Sequence, residues 1–429
     1  MREGREEPDP ARDESAGSPA DPAGSALAGE AGPEAAAVTP AARLAAYVSG
    51  GGIVVPFLTA VAAFLAGGIV LLLTGSNPIS TYRAIFEGTG LTWLFPWTTG
   101  ADRDIAALNL QQTLILTTPL ILVGLAVAFA FRAGLFNIGG QGQYLVGSMA
   151  AVWVGASFAD MSRLPHILVA IAAGCAAGAL WAGIAGLLKA VTGANEVIST
   201  IMLNYVALWL GVYLFGLRGP LQSDTQTSVP VSNDVVPAAR LPVFWGDPEL
   251  QGLHIGLFVA LAMLLVFWVI LNRSTSGYEI RAVGLNPEAG RYAGIDVGRT
   301  YVKVMALCGL FAGLAGALDV LGWQFRVATN DIQTTQIGFY GIAVALLGRN
   351  TATGTAVAAL LFGALLSGSS QRNLDPSIFE PELAMNLTFI IQGLIVLFVS
   401  ADVLVVALLR RGRRLLPRRA KPATAEGAE

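Results

Sequence analysis

Apolar residues gather along this chain into blocks of roughly 20, the length of a helix that crosses about 30 Å of hydrocarbon. The blocks predict spans near 52–74, 112–131, 134–156, 164–189, 195–217, 253–272, 301–322, 336–348, 352–371 and 384–409, of which the eighth is short. Polar and apolar residues do not alternate within them, and backbone groups in lipid must be satisfied inside their own segment. The spans therefore read as helices and not as barrel strands. Gly309, Gly313 and Gly316 place small residues on one helical face, where a neighbouring helix can approach closely. The pattern predicts an all-α integral membrane protein with about ten transmembrane helices. Two connections, about 78–111 and 218–252, are long and carry Trp93, Phe95, Trp97, Phe244 and Trp245, which suit a membrane interface. A short amphipathic helix near Ile79 to Phe86 fits there too.

Composition points the same way. Hydrophobic residues make up 54% of the 429 and charged residues 13%, about half the charge of a soluble globular chain. The net charge of −3 is small, and its acids lie mostly in the N-terminal tail and the loops, which argues against a nucleic-acid partner. Cys175 and Cys308 sit inside apolar runs and read as small core hydrophobes. Residues 1–48 are rich in Ala, Glu, Asp, Pro and Gly without an apolar period, so they bury too little surface to fold. Arg2, Arg5 and Arg12 are mixed with acids far from any apolar run, unlike the basic start of a signal peptide.

Basic residues orient the spans, because cytoplasmic loops carry the excess of Lys and Arg. The run Arg410, Arg411, Arg413, Arg414, Arg418, Arg419 and Lys421 belongs inside. Traced back through the alternation, Arg349, Lys189, Arg132, Arg43 and the group Arg273, Arg281, Arg291, Arg299 and Lys303 also fall inside. Arg83, Arg103, Arg163, Arg218, Arg240, Arg326 and Arg372 fall outside. Both termini are then cytoplasmic. The chain divides into a disordered cytoplasmic tail (1–48), a transmembrane domain (49–410) and a basic cytoplasmic tail (411–429).

No enzyme site emerges. A phosphate loop needs Gly-Lys-Ser/Thr after a glycine-rich turn, and Lys189, Lys303 and Lys421 are not in that setting. His166 and His254 lack ligands at metal spacing and read as interfacial side chains at helix ends. No catalytic residue, metal or cofactor is expected. The informative loop is 274–299, the longest inside connection of the transmembrane domain. Asn286 can cap a helix with Pro287 at its first position and Glu288 in its first turn, and Gly294 can stop it one to two turns later.

Glu288-Ala289-Gly290, followed by Gly294-Ile295, resembles the Glu-Ala-Ala, three residues, Gly motif of ABC importer permeases; Gly290 stands where Ala is usual. Three more segments are similar to the branch with ribose, branched-chain amino acid and nucleoside permeases: Phe131 to Gln143, Gly193 to Tyr205, and Gly338 to Gly348. The second most resembles the nucleoside permeases that work with basic-membrane-protein-type lipoproteins. The resemblance covers about residues 50 to 410. It implies a bacterial inner-membrane permease subunit, two related five-helix halves, and a coupling helix at 274–299 that docks in a cytoplasmic ABC ATPase. A fused double ATPase, a second permease subunit and a substrate-binding lipoprotein are the partners it implies, besides membrane lipid.

Polar residues at membrane depth are expensive and usually face an interior path. Here they concentrate in the same three segments: Asn137, Gln141 and Gln143; Asn195, Glu196 and Asn204; Gln336 and Tyr340. Amides that donate and accept, with Tyr205, Phe339 or Tyr340 to stack, suit a nucleoside passage site; equally, each amide can hold helices together. A ribose-type sugar permease is the alternative within the superfamily. In another class stands a proton-coupled transporter using Asp319 and Glu196, although a structural hydrogen bond is the simpler role for Asp319.

Overall fold

The computed structural model describes residues 54–247, 252–370 and 381–400. The expected tails, 1–48 and 411–429, lie outside the described residues. The described part opens with α1 (Val54–Leu73), α2 (Pro78–Gly88), α3 (Ala101–Arg132), α4 (Gly140–Ala156), α5 (Arg163–Thr192) and α6 (Glu196–Phe215). A two-stranded antiparallel pair, β1 (Val243–Trp245) and β2 (Leu253–His254), precedes α7 (Gly256–Arg273). Two short helices, α8 (Thr275–Leu285) and α9 (Pro287–Tyr292), lead to α10 (Val297–Asp319), which runs on into a π-helical turn, Val320–Gln324. The last part holds α11 (Thr329–Thr334), α12 (Ile337–Leu347), α13 (Ala352–Gly368) and α14 (Pro381–Ser400).

Among the described residues, α1, α3, α5, α6, α7 and α10 are long and apolar enough to cross a bilayer, and α13 and the Asn386–Ile395 part of α14 are shorter apolar helices. Burial sorts them. The most apolar stretches of α3 and α10 are 83% buried, whereas those of α1, α5, α6 and α7 are 18–28% buried. Apolar surface on that scale has to meet lipid or another chain. So α3 and α10 form the centre, and the other four present apolar outer faces.

The centre is closed by glycine. A Cβ built on Gly309 of α10 would lie 2.0 Å from the Gly178 carbonyl oxygen of α5, and one on Gly313 2.3 Å from that of Gly174. Gly147 of α4 meets the Gly313 backbone in the same way. The small face predicted for Gly309, Gly313 and Gly316 is thus a backbone-to-backbone seam, and Gly174 and Gly178 supply the matching stripe.

Two predicted spans shift. The second begins at Ala101, well before 112, because Asp102 and Asp104 favour a helix start and Ala106 and Leu110 bury one face of the polar extension. The third begins at Gly140 and not at 134: Gly134 sits at φ +71°, and residues 135–139 are an extended, mostly buried strap. The amphipathic helix expected near 79–86 is α2, capped by Asn77, whose side chain accepts from the Ile79 N–H. The two long connections meet, with Trp93 and Trp245 ring centroids 5.1 Å apart.

The histidines lie at or just before helix starts, as expected, but face protein and not an interface with lipid or water. His166 and His254 are both buried, because each faces protein: His166 Nε2 lies 2.9 Å from the Val154 carbonyl, and His254 Nδ1 accepts from the Gly256 N–H at 3.1 Å. Burial pushes the His254 imidazole down to about 4, so the ring is neutral at pH 7. The cysteines are free thiols, and among the described residues no three His, Cys, Asp or Glu side chains gather as a metal site.

Candidate functional site

The three motif segments, distant in sequence, converge. Arg132 ends α3 and clamps the Asn350 carbonyl with Nε and Nη2 at 3.1 and 2.9 Å, so the C-terminal ends of α3 and α12 share a level. From there α12 extends back about 16 Å at 1.5 Å per residue, which is half a hydrocarbon layer. Its N-terminal turn meets the N-terminus of α4, where the Gly338 N–H donates to Gln141 Oε1 and Gln141 Nε2 donates to the Thr335 carbonyl, both at 2.8 Å. The turn at 133–134 and the strap 135–139 therefore climb from the Arg132 level to the depth at which two helices begin. Discontinuous helices with their N-termini inside the protein are the construction from which many transporters build a substrate path.

Amides lock the strap in place. Asn137 and Gln143 exchange hydrogen bonds at 3.1 and 3.0 Å, and Asn137 Oδ1 also accepts from the Gly139 N–H. Asn204 of α6 accepts from the Gly142 N–H at 2.7 Å and donates to the Ile138 carbonyl at 2.9 Å. All four side chains, Asn137, Gln141, Gln143 and Asn204, are at most 6% exposed. Each satisfies a backbone or side-chain group that would otherwise be unpaired in an apolar interior, where it would cost about 1–3 kcal/mol.

The other sequence-singled residues lie around this knot. Asn195 caps α6, accepting from the Val197 N–H, and Glu196 pairs with Lys189 at 2.7 Å. Tyr205 points outward, in line with Ile198, Met202 and Trp209 on the open face of α6. Phe339 and Tyr340 line a cavity of about 280 Å³ with Gln336, Phe362 of α13, and Phe389 and Gln392 of α14. Sequence reading missed the α14 contribution. Its signal was Gln392 in the middle of a span whose nearest other polar residues, Asn386 and Thr388, lie towards its start. Asp319 is engaged within the protein, where Tyr144 Oη and Trp323 Nε1 both donate to its carboxylate, the latter at 2.6 Å.

Loop 274–299 takes the expected form. Asn286 Oδ1 accepts from the N–H groups of Glu288 and Ala289 at 2.9 and 3.1 Å, Pro287 occupies the first helical position, and Gly294 ends the turn at φ +81°. Glu288 pairs with Arg291 at 2.6 Å. Leu285 and Tyr292, at either side of this capped turn, are 89% and 92% exposed. A Cβ on Gly290 would meet Val283 Cγ2 at an ordinary 3.4 Å.

Fold and site together define an all-α, multi-pass membrane permease. The chain belongs to the family described as branched-chain amino acid transport system / permease component, which residues 109–400 match. It is 38% identical over 350 residues to the guanosine ABC transporter permease protein NupP of Bacillus subtilis, covering 82% of this chain and 93% of that one. Against the nucleoside ABC transporter permease protein NupB of Lactococcus lactis it is 33% identical over 370 residues, covering 85% and 94%. The glucose ABC transporter permease protein TsgB13 of Haloferax volcanii is 37% identical over 354 residues, covering 80% and 86%. No solved structure matches the chain. These relatives are permease proteins of ABC transporters, a family that works with ATPase and substrate-binding partners.

Proposed function

We propose that the chain is the permease subunit of an importer that carries nucleosides inward, receiving them from an external binding lipoprotein and driven by ATP hydrolysis on partner chains. The observation that carries the transport reading is the meeting of α4 and α12 end to end at Gln141 inside the protein. The nucleoside part is supported by the similarity to NupP and NupB over more than nine-tenths of their lengths. On this reading Asn137, Gln143 and Asn204 shape the path, Gln141 joins its two half-helices, and Phe339 and Tyr340 touch the passing substrate. Asn195 and Glu196 set the start of α6, and Tyr205 lies on a face that suits the second permease subunit. Asn286, Pro287, Glu288, Ala289, Gly290, Gly294 and Ile295 form the turn that an ATPase, in one fused double chain or two, would grip; both termini would lie on its side.

Proteoliposomes carrying the assembled complex test the proposal: ATP-dependent uptake of labelled guanosine or uridine is expected. Glucose or ribose uptake without nucleoside uptake would instead favour the sugar reading, for which the similarity to TsgB13 speaks. Uptake by the chain alone, abolished by collapsing a proton gradient, would sink the ATP-driven reading; the engaged carboxylate of Asp319 and the Lys189–Glu196 pair speak against that result.

A further inference from the structure

Every amide of the knot is satisfied, but one deeply buried amide is not. Gln392 of α14 is 3% exposed, and neither its Nε2 nor its Oε1 has a hydrogen-bond partner among the described residues. A buried primary amide that neither donates nor accepts is rare, because each of its atoms has given up water for nothing. Gln392 lines the cavity of about 280 Å³, where the surrounding lining is rings: Phe339 and Tyr340 on α12, Phe362 on α13 and Phe389 on α14. Gln336, at the N-cap position of α12, adds a second amide at that cavity and makes no capping bond with it.

We infer that this cavity is a subsite for a planar heterocycle with adjacent donor and acceptor atoms on its edge, read by the Gln392 amide while Phe339, Tyr340 and Phe389 hold the ring faces. The inference rests on the nucleoside reading and names the part of the substrate that the site would recognise, the base and not the sugar. An amide side chain presents one donor and one acceptor side by side, the pattern that pairs two-pronged with the edge of a base. Aromatic faces accept any base by stacking. A sugar would be served poorly here, since four rings and two amides leave most of its hydroxyls unmet.

The test compares Gln392→Leu and Phe389→Leu with the parent in the assembled complex, reading guanosine and uridine uptake alongside thermal stability. Gln392→Leu removes an amide that the protein does not satisfy, so the complex should melt at a higher temperature while the KM for both nucleosides rises roughly tenfold or more, the loss expected for a good hydrogen bond. Ring replacement by Phe389→Leu should raise KM again with kcat less affected. A lower melting temperature for Gln392→Leu, or loss of the partner permease on gel filtration, would make Gln392 a structural or interface residue and overturn the subsite. Unchanged KM with higher stability would overturn it too. If the parent complex moves no nucleoside at all, the function proposal itself fails, and that result is separable because it needs no variant.

Discussion

The knot at Gln141 and the cavity at Gln392 place the same kind of side chain in the same kind of apolar surroundings with opposite outcomes. In the knot, Asn137, Gln141, Gln143 and Asn204 bind one another or the backbone of the strap and the two half-helices. Beside α12, Gln392 lines a cavity of rings and its amide has no partner among the described residues. A buried amide therefore does not announce its role by residue type or depth. What separates an amide that builds a path from one left open to a passenger is whether the fold has already supplied its partners.

Variants should widen that contrast. Asn204→Leu leaves the Gly142 N–H and the Ile138 carbonyl unpaired, a loss of about 2–4 kcal/mol, visible as a lower melting temperature of the purified complex. His254 is also buried with an unmatched atom, Nε2, where Gln392 has two. Its folded pKa of about 4 lies below the unfolded value of 6.5, so the unfolded chain binds the extra proton between those values. Stability is then complete above pH 6.5 and falls as the pH drops towards 4, by about 2 kcal/mol at pH 5; melting curves from pH 7 to 5 should show the decline, and His254→Phe should flatten it. For Gln392→Leu the sign reverses, with a gain of about 1 kcal/mol in the same assay. The smallest effect belongs to the exposed turn, outside both regions. Gly290→Ala has room beside Val283 and should stabilise α9 by about 0.5–1 kcal/mol, read as slower proteolysis of the turn.

Much of this was legible in the sequence, and for identifiable reasons. Hydropathy blocks give helices because lipid forces backbone pairing within each segment, and the α9 turn follows from Asn286, Pro287 and Gly294, whose effects are local. The Gly309–Gly313 face was readable as a contact surface, but its partners Gly174 and Gly178 were not, since nothing in a sequence says which stripes meet. The strap 135–139 was read into a helix because Leu135, Phe136 and Ile138 outweigh Asn137 in hydropathy, whereas Gly134, at φ +71°, breaks the backbone before it. That Asn204 and Gln141 find partners 62 and 197 positions away, while Gln392 finds none among the described residues, depends on tertiary packing, and no local rule reaches that far.

The glycine seam between α5 and α10 has a consequence for movement. Where two helices touch through side chains, small rotamer changes let them slip past each other by fractions of an ångström. Here Gly178 and Gly309, and Gly174 and Gly313, bring main chain against main chain with nothing flexible between. Any slide would drive a bulkier neighbour of each glycine into the opposing carbonyl, so the pair must travel as one rigid strut. The cycling parts of the transporter are to be sought elsewhere, in the helices that hinge upon that strut.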